Sequence, residues 1–226
     1  MSSKRRGKEN DALPPSKRFS RKTYLPDTSY HLFTRRPQGL PLFHDDQDYT
    51  EFESILRRLL APRSSRDRWG NLIEPVRGIR TLAYCLMETH FHLIAHQSNN
   101  PRAIAELMQR AKLTYSLYYR RRYDHTGPLY EDRYQAVTVA TPDQLVRLIA
   151  YVHANPIEQS FNYRWSSHKL FMGSNAERAE HWCDAEAGLR AFHDRGHYLE
   201  RLHVAIEEKK RRRDAKAEPG PNDDDA

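Results

Sequence analysis

Ile79-Arg80-Thr81-Leu82-Ala83-Tyr84-Cys85-Leu86-Met87-Glu88-Thr89-His90-Phe91-His92-Leu93-Ile94-Ala95-His96 is the stretch that governs how the rest of the chain is read. Its first part, Ile79 to Met87, is rich in apolar residues and reads as a strand; Leu93 to His96 reads as another. Alternate residues of a strand point to one face. His90 and His92 therefore aim two imidazoles at a common point, with Phe91 turned to the opposite, buried side. Such a pair suits one divalent metal ion, with neutral imidazole nitrogens as ligands. A surface or packing role for the pair is the plainer alternative, so other residues must decide.

A second segment bears on the choice. Thr141-Pro142-Asp143-Gln144 is a helix start: Thr141 caps, Pro142 suits the first helical position and Gln144 completes a capping box. Leu145, Leu148, Ile149 and Val152 recur at helical spacing as the expected buried face, and Pro156 stops the helix near Asn155. Tyr151 and Asn155 stand four residues apart and share a face, with Arg147 one turn earlier on the same side. A phenol and an amide oxygen are thus presented together. The alternative is a packed tyrosine followed by an asparagine that caps the helix.

Charge is compatible with a nucleic-acid partner. The 226 residues carry 37 Lys and Arg against 30 Asp and Glu, a formal net charge of +7. Residues 1–22 hold eight basic and two acidic side chains. A helix expected from about Pro101 to Tyr123 carries Arg102, Arg110, Lys112, Arg120, Arg121 and Arg122 against Glu106 alone. Tyrosines 115, 118, 119 and 123 are interleaved with them. Basic groups neutralise phosphates and aromatic faces stack on unpaired bases. Ile104, Leu107, Met108, Ala111, Tyr115 and Tyr118 also form an apolar stripe, so the helix is expected to pack on a sheet and leave Arg120, Arg121 and Arg122 free for DNA.

The order of elements reads strand (near 29–36), helix (from Asp45 or Asp46, with Phe52, Ile55, Leu56, Leu59 and Leu60 on one face), two central strands, basic helix, strand (Tyr134 to Ala140) and tyrosine helix. Antiparallel strands with helices packed on them make an α+β domain. Pro62 to Glu74 reads as a loop or hairpin end, and Leu199, Leu202, His203 and Ile206 suggest a last amphipathic helix. Cys85 and Cys183 are the two cysteines; with no signal peptide and no long apolar segment, a disulfide is not expected, and a reducing cytoplasm fits. Of the other histidines, His31 lies on the first strand, where it either neighbours the central pair or packs. His96 is expected at the rim, and His153 is expected to pack or to face DNA.

The pieces in order resemble the single-tyrosine HUH transposases, most closely the REP-associated tyrosine transposases. The matching segments are Tyr30 to Arg36, Leu86 to Ile94, Gly127 to Tyr134, Tyr151 to Pro156 and Tyr163 to His168. At Glu88-Thr89 the family commonly has proline and asparagine, a change in the turn that leaves both histidines in place. The resemblance implies a ferredoxin-like, RRM-like antiparallel sheet, the HUH endonuclease palm, with His90 and His92 as metal ligands and Tyr151 as nucleophile. It also implies Asn155 as a third ligand and Mg²⁺ or Mn²⁺ as the ion. It implies single-stranded DNA nicking and strand transfer at hairpin-forming, REP-like repeats through a 5′-phosphotyrosine intermediate, by a monomer or homodimer. Such an enzyme would be cytoplasmic and nucleoid-associated when DNA-bound.

Arg35 and Arg133, within matching segments, join Arg110, Lys112 and Arg120 to Arg122 as expected DNA contacts. The division expected is a basic arm (1–23), a catalytic domain (24–173), a helical extension (174–208) and a charged, mobile tail (209–226). A non-catalytic DNA- or structured-RNA-binding protein on the same fold is the alternative reading. The phenol of a tyrosine is a weak nucleophile at neutral pH, with an ordinary pKa near ~10, so the enzyme reading requires help from a neighbouring charge.

Overall fold

In β5 (His90–Gln97) the alternation is strict: Phe91, Leu93 and Ala95 are fully buried on one side, while His90, His92, Ile94 and His96 face the other. This strand is central in a computed structural model that describes residues 24–67, 70–159, 161–173 and 182–217. The expected basic arm, the end of the tail from 218 and the start of the expected extension (174–181) lie outside the described residues.

The sheet has four strands, β1 (Thr28–Arg35), β4 (Ile79–Met87), β5 and β6 (Gln135–Val139), in the order β4-β5-β1-β6. Every neighbouring pair is antiparallel. With α1 (Asp46–Leu59) between β1 and β4 and α2 (Ala103–Tyr123) between β5 and β6, the topology is ferredoxin-like. A two-stranded hairpin, β2 (Ser65–Arg66) with β3 (Leu72–Ile73), interrupts the passage from α1 to the sheet. The expected hairpin end is thus present. Glu88 and Thr89 form the tight turn between β4 and β5, where Met87 pairs with His90.

Helices α1 and α2 cover the apolar face. Asp45 caps α1, accepting hydrogen bonds from the Gln47 and Asp48 amides at 3.0 and 3.3 Å. The ring of Phe52 then sits 4.7 Å from Phe91 and 5.2 Å from Tyr115. Each such side chain fully buried contributes about 1.5–3 kcal/mol. In α2 the buried stripe runs through Tyr115 and Tyr119, with Tyr118 only partly covered. The Tyr115 hydroxyl donates to the Leu42 carbonyl at 2.8 Å, so this aromatic row is core rather than a base-stacking platform.

The histidine-bearing face is covered by α3 (Pro142–His153), and α6 (Arg195–Ala217) packs on α3. Two short helices, α4 (His168–Met172) and α5 (Ala185–Leu189), complete the described chain. The outer edge of β4 is not open. Leu86 N–H donates to Trp165 O at 2.8 Å, Ser167 N–H to Tyr84 O at 3.0 Å and Asp184 N–H to Thr81 O at 2.8 Å. The segment Tyr163 to His168 thus lies along the edge, satisfying backbone groups that an exposed edge would leave unpaired.

Two expectations about the C-terminal region are corrected. Helix α6 runs on to Ala217, so residues 209–217 are helical rather than a mobile tail. Its buried stripe is Tyr198, Leu202 and Ile206, rotated from the expected one; His203 is exposed. Tyr198 anchors the helix by hydrogen bonds to His153 and His168, and that anchor sets the rotation. Among the described residues no helix is long and apolar enough to cross a membrane.

Gly188 in α5 lies against β4: a β-carbon there would come within 2.5 Å of the Leu82 carbonyl oxygen and 2.9 Å of the Phe171 ring. Gly188→Ala should cost about 1–3 kcal/mol through overpacking, read as a lower thermal midpoint.

Candidate active site

The His90 and His92 rings stand 5.0 Å apart at 89° to each other. His90 Nδ1 shares a 3.0 Å hydrogen bond with Thr89 Oγ1, and His92 Nδ1 shares a 2.8 Å one with His31 Nε2. With both Nδ1 atoms engaged, each ring keeps Nε2 for a ligand, the arrangement in which an outer partner fixes ring orientation. Burial drives the His90 pKa down to about 4, with the Arg35 charge adding to the effect. Burial lowers His31 to about 4 as well, and holds His92 well below the ordinary imidazole value. The three rings are therefore neutral at pH 7, with lone pairs available. His31 is thus the neighbour of the central pair that its strand position allowed.

Tyr151 is delivered to the same face by α3. Thr141 Oγ1 accepts the Gln144 amide at 3.1 Å, and Gln144 Oε1 accepts the Ala140 amide at 2.8 Å, a variant of the expected capping box. Val146, Ile149, Ala150, Val152 and His153 are the buried residues of α3; Leu145 and Leu148, expected among them, are only partly covered. This rotation leaves Tyr151 38% exposed, with its ring 6.2 Å from that of His92 and nearly perpendicular to it.

His153 holds the helix in place. It is fully buried, sharing a 2.7 Å hydrogen bond with Ser167 Oγ through Nε2 and a 2.8 Å one with Tyr198 Oη through Nδ1. Ser167 Oγ in turn accepts the Tyr84 amide of β4 at 2.8 Å, and Tyr198 Oη also meets His168 Nδ1 at 2.5 Å. Of the two expectations for His153, packing is the one the structure bears out.

Asn155 follows Tyr151 on the same side, but its amide is engaged. Nδ2 donates to the Val152 carbonyl at 3.0 Å and to that of Tyr151 at 3.3 Å, while Oδ1 accepts from Lys209 Nζ at 2.9 Å. The oxygen expected to bind metal is thus the acceptor of an ammonium in this arrangement. Lys209 also sits 3.7 Å above the centre of the Tyr151 ring, a cation–π contact. Burial pushes its pKa down to about 8, and the Arg212 charge adds to the effect. Sequence reading placed Lys209 in a mobile tail; its spacing after Tyr198, Leu202 and Ile206 continues the buried face of one helix, and that was the signal available.

The expected DNA contacts divide. Arg35, paired with His90 across β1 and β5, is exposed beside the site. Arg120 to Arg122 end α2, on the opposite face of the sheet, and the expectation that they are free is corrected. Arg122 bridges Asp45 and the fully buried Asp48, both at 2.5 Å, and Arg120 donates to the Gly127 carbonyl at 3.2 Å. Arg110 pairs with Glu106 at 2.8 Å, and Lys112 donates to the Asp132 carbonyl at 2.9 Å. Arg121 and Arg133 are engaged as well. Arg122 serves the fold because Asp48, buried under α2, needs a counter-charge.

His90 and His92 fit a divalent cation as two nitrogen donors on one face. Among the described residues no three His, Cys, Asp or Glu side chains gather as a complete cage, so further ligands would have to come from elsewhere. An antiparallel ferredoxin-like sheet, a His-hydrophobe-His pair on its central strand and a tyrosine helix over that pair are the features that the resemblance to single-tyrosine HUH proteins implies.

Residues 71–155 match the family model described as Transposase IS200 like. That stretch is similar to the IS200-like family over part of the chain, and a REP-associated tyrosine transposase shares the fold. A solved REP-associated tyrosine transposase bound to a REP hairpin superposes with a TM-score of 0.53 over 68% of this chain and 84% of that one, at 9% identity, which establishes the shared fold. A transposase candidate from Deinococcus radiodurans R1 (TM-score 0.37, 17% identity, 54% of this chain and 87% of that one) is too dissimilar to carry an argument. The same holds for a bacterial tRNA(His) guanylyltransferase-like protein in complex with ATP (TM-score 0.38, 13% identity, 63% and 64%). Comparison with curated proteins gives no match.

Two outcomes are expected. Arg122→Ala should destabilise the fold by about 1–3 kcal/mol, because the Asp48 carboxylate loses its cation while staying buried; urea unfolding measures it. Acid should also destabilise. His31, His90 and His168 have folded values near 4, below the ordinary 6.5, so the unfolded chain takes up protons first as pH falls. Stability present above 6.5 should decline progressively toward pH 4, seen as a falling urea midpoint.

Proposed function

We propose that this transposase-like protein nicks and rejoins single-stranded DNA at hairpin-forming repeats, with Tyr151 as nucleophile and His90 and His92 as the protein's ligands to a divalent cation. The observation that carries the reading is the Tyr151 ring standing 6.2 Å from His92 on the face where both histidines keep a free Nε2. The two other tyrosines near the chemistry have their hydroxyls committed. Tyr163 donates to the Leu86 carbonyl at 2.7 Å, and Tyr134 accepts from Tyr24 at 2.7 Å. Burial raises the pKa of both.

Mg²⁺ or Mn²⁺ bound by the pair would polarise the scissile phosphate and offset charge in the transition state, with Mn²⁺ the better match to imidazole. The Tyr151 oxygen forms a bond to phosphorus and loses its proton. The bond from phosphorus to the 3′ oxygen breaks, and that oxygen takes up a proton to leave as a free 3′ hydroxyl. The 5′ phosphate stays on the tyrosine. Attack by a 3′ hydroxyl on this phosphodiester reverses the step and releases Tyr151, so joining needs no nucleotide. Lys209 places a positive charge against the ring of the nucleophile, and Asn155, bonded to Lys209, holds that ammonium in place. The relative solved with a REP hairpin supports a hairpin partner.

A labelled hairpin with a single-stranded extension, incubated with protein and Mn²⁺, should give a covalent adduct. Tyr151→Phe should abolish the adduct and leave hairpin affinity within about twofold, since one hydroxyl is removed. The double variant H90A/H92A should reduce adduct formation by about 10²-fold or more, the scale of losing a positioned electrostatic group. Adduct surviving in Tyr151→Phe, or none from the unaltered protein with either ion, would overturn the reading.

A further inference from the structure

A groove of about 260 Å³ opens between α3 and α6 with Tyr151 in its wall. We infer that this groove seats the unpaired DNA strand beside the cleaved bond, with Arg201, Lys209 and Arg212 holding its phosphates. The inference rests on the function proposed above and adds to it a binding surface on the C-terminal helix, outside the stretch that matches the family model.

The charge argument comes first. Four cations line the groove, Arg147 from α3 and Arg201, Lys209 and Arg212 from α6, against the single carboxylate Glu208. Arg147 is paired with Asp143 at 2.6 Å, an exposed pair. The side chains of Arg201 and Arg212 form no ion pair or hydrogen bond among the described residues. Elsewhere Arg58, Arg80, Arg110, Arg122, Arg164 and Arg190 each meet a carboxylate. In the groove Arg201 and Arg212 have no such partner among the described residues. Lys209 is held partly buried with Arg212 one turn away, a like-charge pair that weakens a helix. Such a cluster, with cations in excess of carboxylates, is stabilised by an anion with several charges.

Shape selects the anion. Arg201, Ala205, Lys209 and Arg212 follow one another at helical spacing and form a row about 16 Å long. That is a reach of several successive phosphates along one strand. Helix axes packed about 8–10 Å apart leave a furrow too narrow for a duplex. Leu148, Val204 and Ala205 give the floor an apolar surface for sugars, and Tyr151 is the one aromatic ring in the lining. Contacts that the cations make to phosphates position a strand and do not read its sequence. The groove therefore feeds an unpaired strand of any sequence to Tyr151, while recognition of the repeat lies elsewhere.

The test measures binding in a Tyr151→Phe background, which cannot cleave, so it is independent of the adduct assay. Affinity is measured against salt for a blunt DNA hairpin and for the same hairpin with an unpaired extension on either side. In R201Q/R212Q the salt slope for one extended hairpin should fall by about 1.4, two phosphate contacts at about 0.7 each, while the blunt hairpin is unaffected. Should the double variant fail to fold, R201Q and R212Q singly should each remove about 0.7 of slope. Unchanged slopes for both extensions overturn the inference. So does a loss seen only with RNA of the same sequence, or faster cleavage when R201Q/R212Q is placed in the protein with Tyr151 intact, which would make α6 a restraint. Loss of the adduct in the unaltered protein with the slope change present would sink the chemistry and leave the groove standing.

Discussion

The arrangement depends on one buried histidine. His153 links α3 to β4 through Ser167 and to α6 through Tyr198, and all three side chains are buried. A neutral imidazole has one donor and one acceptor nitrogen, and here both are used. Sliding α3 by a residue would break both bonds in a dry interior, where an unsatisfied polar group costs about 1–3 kcal/mol. The same slide would turn Tyr151 by about 100° away from the sheet. The position of the phenol over the histidine pair is therefore fixed by a residue two places along the helix, on its buried side.

The two faces of the sheet divide the work. Phe91, Leu93 and Ala95 point into a conventional core under α1 and α2, where aromatic rings and the Asp48–Arg122 pair hold the layers together. His31, His90 and His92 point to the other layer, which is thinner and partly open at Tyr151. A polar cluster with an opening can accept a substrate, whereas a closed apolar core cannot. Partial burial also keeps the imidazoles neutral, which is the state that binds metal. Stability and the proposed chemistry thereby fall to opposite sides of one strand, with residues alternating between the two.

Helix α6 connects the C-terminal region to the site. Tyr198 meets His153, and Lys209 meets both Asn155 and the Tyr151 ring. Its basic run lies on a helix that packs against α3, so the groove charges are held at fixed spacing instead of being spread along a loose tail.

Local pattern alone determined the strand-helix order, the strict alternation around His90 and His92, the start of α3 and the shared side of Tyr151 and Asn155. Each of these depends on neighbours within a few residues, through a period of 2 or 3.6. The meeting of His31 with His92, the pinning of α3 by His153 and the arrival of Lys209 were decided by tertiary structure, since their partners lie 61, 45 and 54 residues away. The arginines at the end of α2 show the same limit. Their charges were legible in sequence, but the engagement of Arg122 depends on Asp48 being buried beneath it, and that of Arg120 on the Gly127 carbonyl. A charge run does not reveal its own counter-ions, because pairing in three dimensions is set by which faces the core brings together.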